Sequence, residues 1–161
     1  CKENNKTKEK DKKAEYKIGK KESRIFFFMS FAILLLAYLP YYIRFCPGLL
    51  TADSINQVIQ GLGLSELQNH HPLLHTAMIS VFVNIGKAYG NINSGVNLYI
   101  TFQMLVVISV FSCLLTYLFK KNTPKILIIL TLIYYSLNPI FGLYTITMWK
   151  YLLIQEVRDS I

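Results

Sequence analysis

The residues that could do chemistry are few and closely spaced. Within the apolar part of the chain, residues 25–150, only Asp53 and Glu66 are acidic, and a histidine pair, His70 and His71, follows shortly after them. A carboxylate can act as a general base, and imidazole can carry a proton or bind a metal. Ionisable residues isolated between apolar segments are typical of the polar centre of a membrane protein.

The residues after Asp53 predict a short amphipathic helix. One face is apolar at i, i+3, i+4 and i+7 and the other is polar. The apolar face comprises Ile55, Val58, Ile59 and Leu62, and the polar face comprises Asn56, Gln57 and Gln60. Ser54 and Gln57 fit a capping box, which would leave the Asp53 carboxylate outside the helix and available for catalysis. In the alternative, Asp53 is the N-cap and has no catalytic role.

The histidines alone do not define a metal site. Two adjacent histidines before Pro72 are most often part of an exposed loop. His71 and His75 have the i, i+4 spacing of zinc ligands on one helix face. Glu66 is interpreted as a solvated loop residue, which leaves only the distant Asp53 as an acid to complete a set. The residues themselves therefore predict no metal site.

Composition indicates which elements must position these groups. Hydrophobic residues make up 53% of the 161 residues, whereas charged residues make up 16%. Residues 1–24 hold 10 of the 17 Lys and Arg and 5 of the 9 Asp and Glu. This leader has too few apolar side chains to offset the entropy of ordering, and we expect it to be disordered, basic and cytoplasmic.

Three stretches contain no charged residue, namely 25–43, 96–119 and 126–146. The length of each is close to the roughly 20 residues that a helix needs to cross a bilayer. The turn between the second and third contains three lysines, which places it on the cytoplasmic side with the leader. Residues 72–89 are also apolar, but a crossing there would put those lysines outside. We therefore expect three spans, with four as the alternative.

The predicted architecture is all-α, with polytopic transmembrane helices and two short surface helices in an extracytoplasmic segment, residues 46–95. The second surface helix would direct His75, Asn84 and Lys87 to water. Residues 151–161 form an atypical, mixed-charge tail. The predicted location is the cell membrane, multi-pass, with the lipid bilayer as partner and the N-terminus in the cytoplasm.

Other classes fit poorly. The lysine run of the leader contains five acids and almost no aromatic residues, so no nucleic-acid partner is expected. Three widely spaced cysteines indicate neither a disulfide framework nor a metal motif.

The order of these motifs resembles a known family. The stretch from Cys46-Pro47-Gly48 through Asp53-Ser54 to Asn69-His70-His71-Pro72-Leu73, between apolar spans, resembles the N-terminal module of GT-C-type multi-spanning membrane glycosyltransferases. The similarity is greatest to a bacterial branch with a His-His-Pro or Trp-His-Pro pattern. It covers roughly residues 25–150.

The resemblance implies roles for four residues. Asp53 would be the catalytic base, and His70, His71 and Arg44 would bind the acceptor or the phosphate of a polyprenyl-phosphate-linked sugar donor. The cofactor is unknown, and a divalent metal is an open alternative. Ser54 replaces a glutamate of many relatives, and no acid directly follows Lys150 as it does in them. We therefore expect a truncated enzyme that is inactive alone.

Two other functions remain open. The chain could be a small structural or partner-binding membrane protein that docks through its outer amphipathic helices. It could also be a transporter fragment in which intramembrane polar residues such as Asn97 and Gln103 line a path.

Overall fold

The structure is a computed structural model that describes residues 19–65 and 73–148. It contains six helices in these ranges. They are α1 (Lys20–Phe45), α2 (Ala52–Gly61), α3 (Leu73–Ala88), α4 (Ile92–Lys120), α5 (Lys125–Leu137) and α6 (Pro139–Ile146). The described residues contain no strand beyond one isolated bridge between Leu49 and Thr147, so the predicted all-α class is confirmed for them.

The first helix starts earlier than its apolar run suggests. The disordered leader was expected to reach residue 24, but α1 begins at Lys20, because Lys, Glu and Arg are good helix formers. The Glu22 carboxylate accepts a hydrogen bond from the Gly19 N–H at 3.1 Å, which satisfies one amide at the helix start. The predicted leader before Gly19 and the predicted tail lie outside the described residues.

Two helices are long and apolar enough to cross a bilayer, α1 with 26 residues and α4 with 29. Helices α5 and α6 meet the same test together as one span, bent by 55°. The chain is therefore a membrane protein with two candidate spans, or three if the bent pair counts as one. At 16 residues, α3 is not among these candidates, and its location at a membrane surface remains a prediction.

The bend between α5 and α6 follows from Asn138 and Pro139. Proline lacks an N–H, so the Tyr135 carbonyl receives no helical hydrogen bond from position 139. The Tyr38 hydroxyl of α1 donates to that carbonyl at 3.0 Å. Asn138 restarts the chain as the N-cap of α6, and its Oδ1 accepts from the Ile140 N–H at 3.0 Å.

Helices α1 and α4 are antiparallel and form the centre of the molecule. Phe26 stacks on Phe119 with ring centroids 4.6 Å apart at one end of the pair. Toward the other end, the Tyr42 hydroxyl lies 2.6 Å from Asn97 Oδ1 and 2.8 Å from Thr101 Oγ1. We call the Phe26 end, which carries Lys20, Arg24 and Lys120, the basic end, and the opposite end the polar end.

Each end has its own hydrophobic core. Both α5 and α6 pack against α1 and α4. The core nearer the basic end contains Leu34, Tyr38, Met104, Ile108, Leu115 and Ile128. The core at the polar end contains Ile79, Val83, Val96, Tyr99, Ile100, Ile146 and Met148.

Helices α3 and α4 form a tight antiparallel hairpin at the polar end. A Cβ at Gly95 would lie 2.5 Å from the Phe82 carbonyl oxygen and 2.8 Å from the Val83 Cα. One at Gly86 would overlap the Gly95 nitrogen. Because these neighbours are backbone atoms, the close approach of the two helices requires glycine at both positions.

Candidate functional site

The polar end is held together by backbone pairing between two connectors. The Leu49 N–H donates to the Ile146 carbonyl at 3.0 Å, and the Met148 N–H donates to the Leu49 carbonyl at 3.1 Å. Gly48 permits this approach, because it adopts φ +137° and a Cβ there would lie 2.6 Å from Ile100 Cγ1. The segment after α1 and the segment after α6 thereby form one platform.

Helix α2 starts at this platform, and Thr51 is its N-cap. The Thr51 hydroxyl accepts from the Ser54 N–H at 3.3 Å, and Ser54 Oγ accepts from the Thr51 N–H at 3.3 Å. Neither Ser54 nor Asp53 is the N-cap, so both sequence-based capping assignments are wrong. A threonine N-cap with a serine at N3 forms the same reciprocal pair of hydrogen bonds as a capping box with Glu or Gln at N3. Asp53 therefore lies inside the first turn of α2, with its side chain exposed.

The inward face of α2 is mainly polar. Ser54, Gln57 and Gln60 are buried, whereas Ile55 is 46% exposed. Only part of the predicted apolar face packs inward, since Val58 and Leu62 contact the core at the polar end. Two neighbouring segments hold α2 in place, one through a backbone carbonyl and the other through side-chain donors.

One of these neighbours is the segment that follows α6. Ser54 Oγ donates to the Met148 carbonyl, which joins α2 to the platform. The Gln103 amide of α4 donates to the Thr147 carbonyl at 2.8 Å and also lies near the Thr145 carbonyl at 3.2 Å. The last carbonyls of a helix lack intrahelical partners, and Gln103 meets this need for α6.

Helix α3 provides the second neighbour. Ser80 Oγ donates to the Gly61 carbonyl at 2.8 Å, and Asn84 Nδ2 donates to the same oxygen at 3.1 Å. The end of α2 is therefore fixed by two α3 side chains.

His75 is buried rather than directed to water. Only 1% of its surface is exposed, and its Nε2 lies 2.8 Å from the Tyr99 hydroxyl, an interaction in which either group can donate. The prediction of a water-facing His75 is wrong, although Asn84 and Lys87 are exposed as expected. The aromatic partner on α4 explains the difference, because Tyr99 supplies both a polar contact and an apolar ring edge.

The buried polar stripe of α2 is the feature that sequence reasoning missed. Gln57 Nε2 and Gln60 Oε1 are buried and have no hydrogen-bond partner among the described residues. Leaving such groups unsatisfied costs about 1–3 kcal/mol each, so they are suited to bind a polar ligand or water. Its members Ser54, Gln57 and Gln60 recur at i, i+3 and i+6, a spacing that places them on one helix face.

The structure places two of the four predicted site residues. Asp53 and Arg44 both lie at the polar end, on either side of the 46–51 connector, and both are exposed. The Arg44 guanidinium lies 5.8 Å from the Phe45 ring centroid. His70 and His71 lie outside the described residues, so their predicted role is untested.

Metal-binding groups are sparse in the described part of the chain. Within residues 19–65 and 73–148, no three His, Cys, Asp or Glu side chains are grouped closely enough to hold a metal ion. His71, which the zinc alternative would require, lies outside those ranges.

Comparison with known proteins adds no family assignment. No family model, curated protein or solved structure matches this chain. The similarity to GT-C glycosyltransferases therefore depends only on the residues that suggested it.

Proposed function

We propose that this chain is the membrane module of a glycosyltransferase that uses a polyprenyl-phosphate-linked sugar as donor, with Asp53 as the catalytic base. The observation that carries the proposal is the position of Asp53. Its carboxylate is exposed on the first turn of α2, a helix anchored by Ser54 to the end of the broken span. A base held on a rigid element beside apolar helices is suitably placed for a lipid-linked substrate.

In the proposed reaction, the Asp53 carboxylate accepts the proton of an acceptor hydroxyl. The acceptor oxygen then forms a bond to the anomeric carbon of the sugar as the bond from that carbon to the phosphate oxygen breaks. The leaving group is the polyprenyl phosphate, whose negative charge Arg44 would offset. His70 and His71 would contact the acceptor or this phosphate.

The test is sugar transfer by membranes that contain the gene's full reading frame, with radiolabelled polyprenyl-monophosphate-linked hexoses as donors. Asp53→Asn keeps the shape of the side chain and removes the base, so we expect the transfer rate to fall roughly 100- to 10,000-fold. Asn56→Ala changes another exposed residue of α2 and should leave the rate within about twofold.

Two results would contradict the proposal. One is the absence of transfer with every donor, and the other is an Asp53→Asn rate equal to that of Asn56→Ala. Either would favour the partner-binding alternative, for which exposed Ile55 and Leu64 offer an apolar contact surface.

A further inference from the structure

A second feature lies at the basic end, at the opposite end of the α1 and α4 pair from Asp53. An open groove of about 920 Å³ is lined there by residues of both α1 and α4. Its walls are mainly apolar and include Phe28 of α1 and Tyr117 of α4. The lining residues recur at helical spacing on both helices, so the groove follows the helix axes for roughly 10 Å.

Three cations border this groove. Lys20 and Arg24 come from α1 and Lys120 comes from α4, and all three side chains are exposed. A nearby acid, Glu22, is not part of the lining, and its carboxylate accepts from the Gly19 N–H. The rim of the groove is therefore positively charged above an apolar wall.

The groove also contains an unsatisfied polar group. Ser23 lines it, is 3% exposed, and its Oγ has no hydrogen-bond partner among the described residues. Thr116 lines the opposite wall, but its hydroxyl already donates to the Ser112 carbonyl at 2.7 Å. A ligand with an acceptor oxygen near the rim would satisfy Ser23.

We propose that this groove is a binding site for one anionic phospholipid of the adjacent leaflet. Its phosphate would lie between Lys20, Arg24 and Lys120, its glycerol or ester oxygens would reach Ser23, and an acyl chain would cover Phe28. Basic pockets between membrane helices select anionic headgroups by this charge complementarity. The proposal does not depend on the activity assigned to Asp53.

A bound lipid differs from the diffuse attraction of a basic surface. Lys21, Lys121 and Lys125 lie at the same end but do not line this groove, and they would enrich anionic lipids around the whole end. A site in the groove requires the three rim cations in particular. Probes at matched depth inside and outside the groove distinguish the two cases.

The experiment measures the quenching of a single tryptophan by brominated lipids. In a chain with Trp149→Phe, the groove probe is Phe28→Trp and the control probe is Ile129→Trp on α5. Phe28 is 66% exposed and Ile129 is 54% exposed, and each follows a basic residue by four positions. The full chain is reconstituted in dibromo-phosphatidylglycerol or dibromo-phosphatidylcholine, and the relative lipid-binding constant is obtained for each probe.

We expect the groove probe to show a phosphatidylglycerol preference of about five- to tenfold, and the control probe a preference of no more than about twofold. Replacing Lys20, Arg24 and Lys120 together by Gln should lower the preference at the groove probe to the value at the control probe. Replacing Lys21, Lys121 and Lys125 by Gln removes the same charge and should leave the preference at the groove probe largely intact.

Two outcomes would overturn the proposal. Equal preferences at the groove probe and the control probe would show diffuse attraction only. An equal loss in both triple variants would show that net charge at this end, rather than the groove, determines the lipid preference.

Discussion

At the residue scale, the structure pairs polar side chains with carbonyls that the broken span leaves without helical partners. Tyr38 bonds the Tyr135 carbonyl, Gln103 bonds the Thr147 carbonyl, and Ser54 bonds the Met148 carbonyl. A carbonyl without a partner is costly in an apolar environment, and each of these side chains reaches it from a different helix.

The first prediction concerns Tyr38. Tyr38→Phe retains the ring but removes the hydroxyl that donates to Tyr135, so we expect the free energy of unfolding in detergent to fall by about 1–3 kcal/mol. Tyr134→Phe is the matched control, because Tyr134 is 56% exposed and its hydroxyl makes no hydrogen bond to any of the described residues. Equal stability of the two variants would contradict the role assigned to the Tyr38 hydroxyl.

At the element scale, the hairpin of α3 and α4 supports the polar end. Gly86 and Gly95 let the two helices approach until backbone atoms nearly touch, and this brings His75 to Tyr99. Helix α2 then packs on α3 through the Gly61 carbonyl. The placement of Asp53 therefore depends on helix contacts that lie well beyond its own helix.

The hairpin yields a prediction for Gly95. Gly95→Ala places a methyl group against the backbone of Phe82 and Val83, and α3 must shift to accommodate it. We expect the free energy of unfolding to fall by about 1–3 kcal/mol. Thermal denaturation in detergent measures this loss. The control Ser94→Ala, at an exposed neighbouring position, should change stability by less than about 0.5 kcal/mol. A Gly95→Ala variant as stable as this control would exclude the close packing.

At the scale of the whole molecule, most of the described lysines lie at one end of the apolar helices, and α2 with its polar contacts lies at the other. Helix α4 has 29 residues and is about 43 Å long, which exceeds the roughly 30 Å of the hydrocarbon core. Its two ends therefore reach opposite sides of a bilayer that it crosses. By the distribution of lysines, we propose that the basic end is cytoplasmic.

Cysteine labelling tests this orientation. With the native cysteines replaced by serine, a membrane-impermeant thiol reagent added from outside should label Asn91→Cys, before α4, and should not label Asn122→Cys, after it. Permeabilised cells should show labelling at both positions. Labelling of Asn122→Cys in intact cells would contradict the proposal that the basic end is cytoplasmic.

Much of the fold could be predicted from local sequence, but less of the candidate site. The long apolar runs predicted α1 and α4 to within about five residues at each end. The inward face of α2 could not be predicted, because the helix has one polar face and one apolar face, and either can be buried. The choice between them depends on which neighbour lies opposite, and here that neighbour is the Met148 carbonyl.

By itself, the sequence determined the helical class, the apolar segments and the clustering of most lysines beside the ends of those segments, because hydrophobic length and charge act locally along the chain. Only the tertiary structure decided that Ser54, Gln57 and His75 are buried. It also decided that Tyr38 and Gln103 donate hydrogen bonds to carbonyls at the break and at the end of the bent pair α5 and α6. Those choices depend on residues far apart in sequence, and the close helix approach at Gly95 brings some of them together.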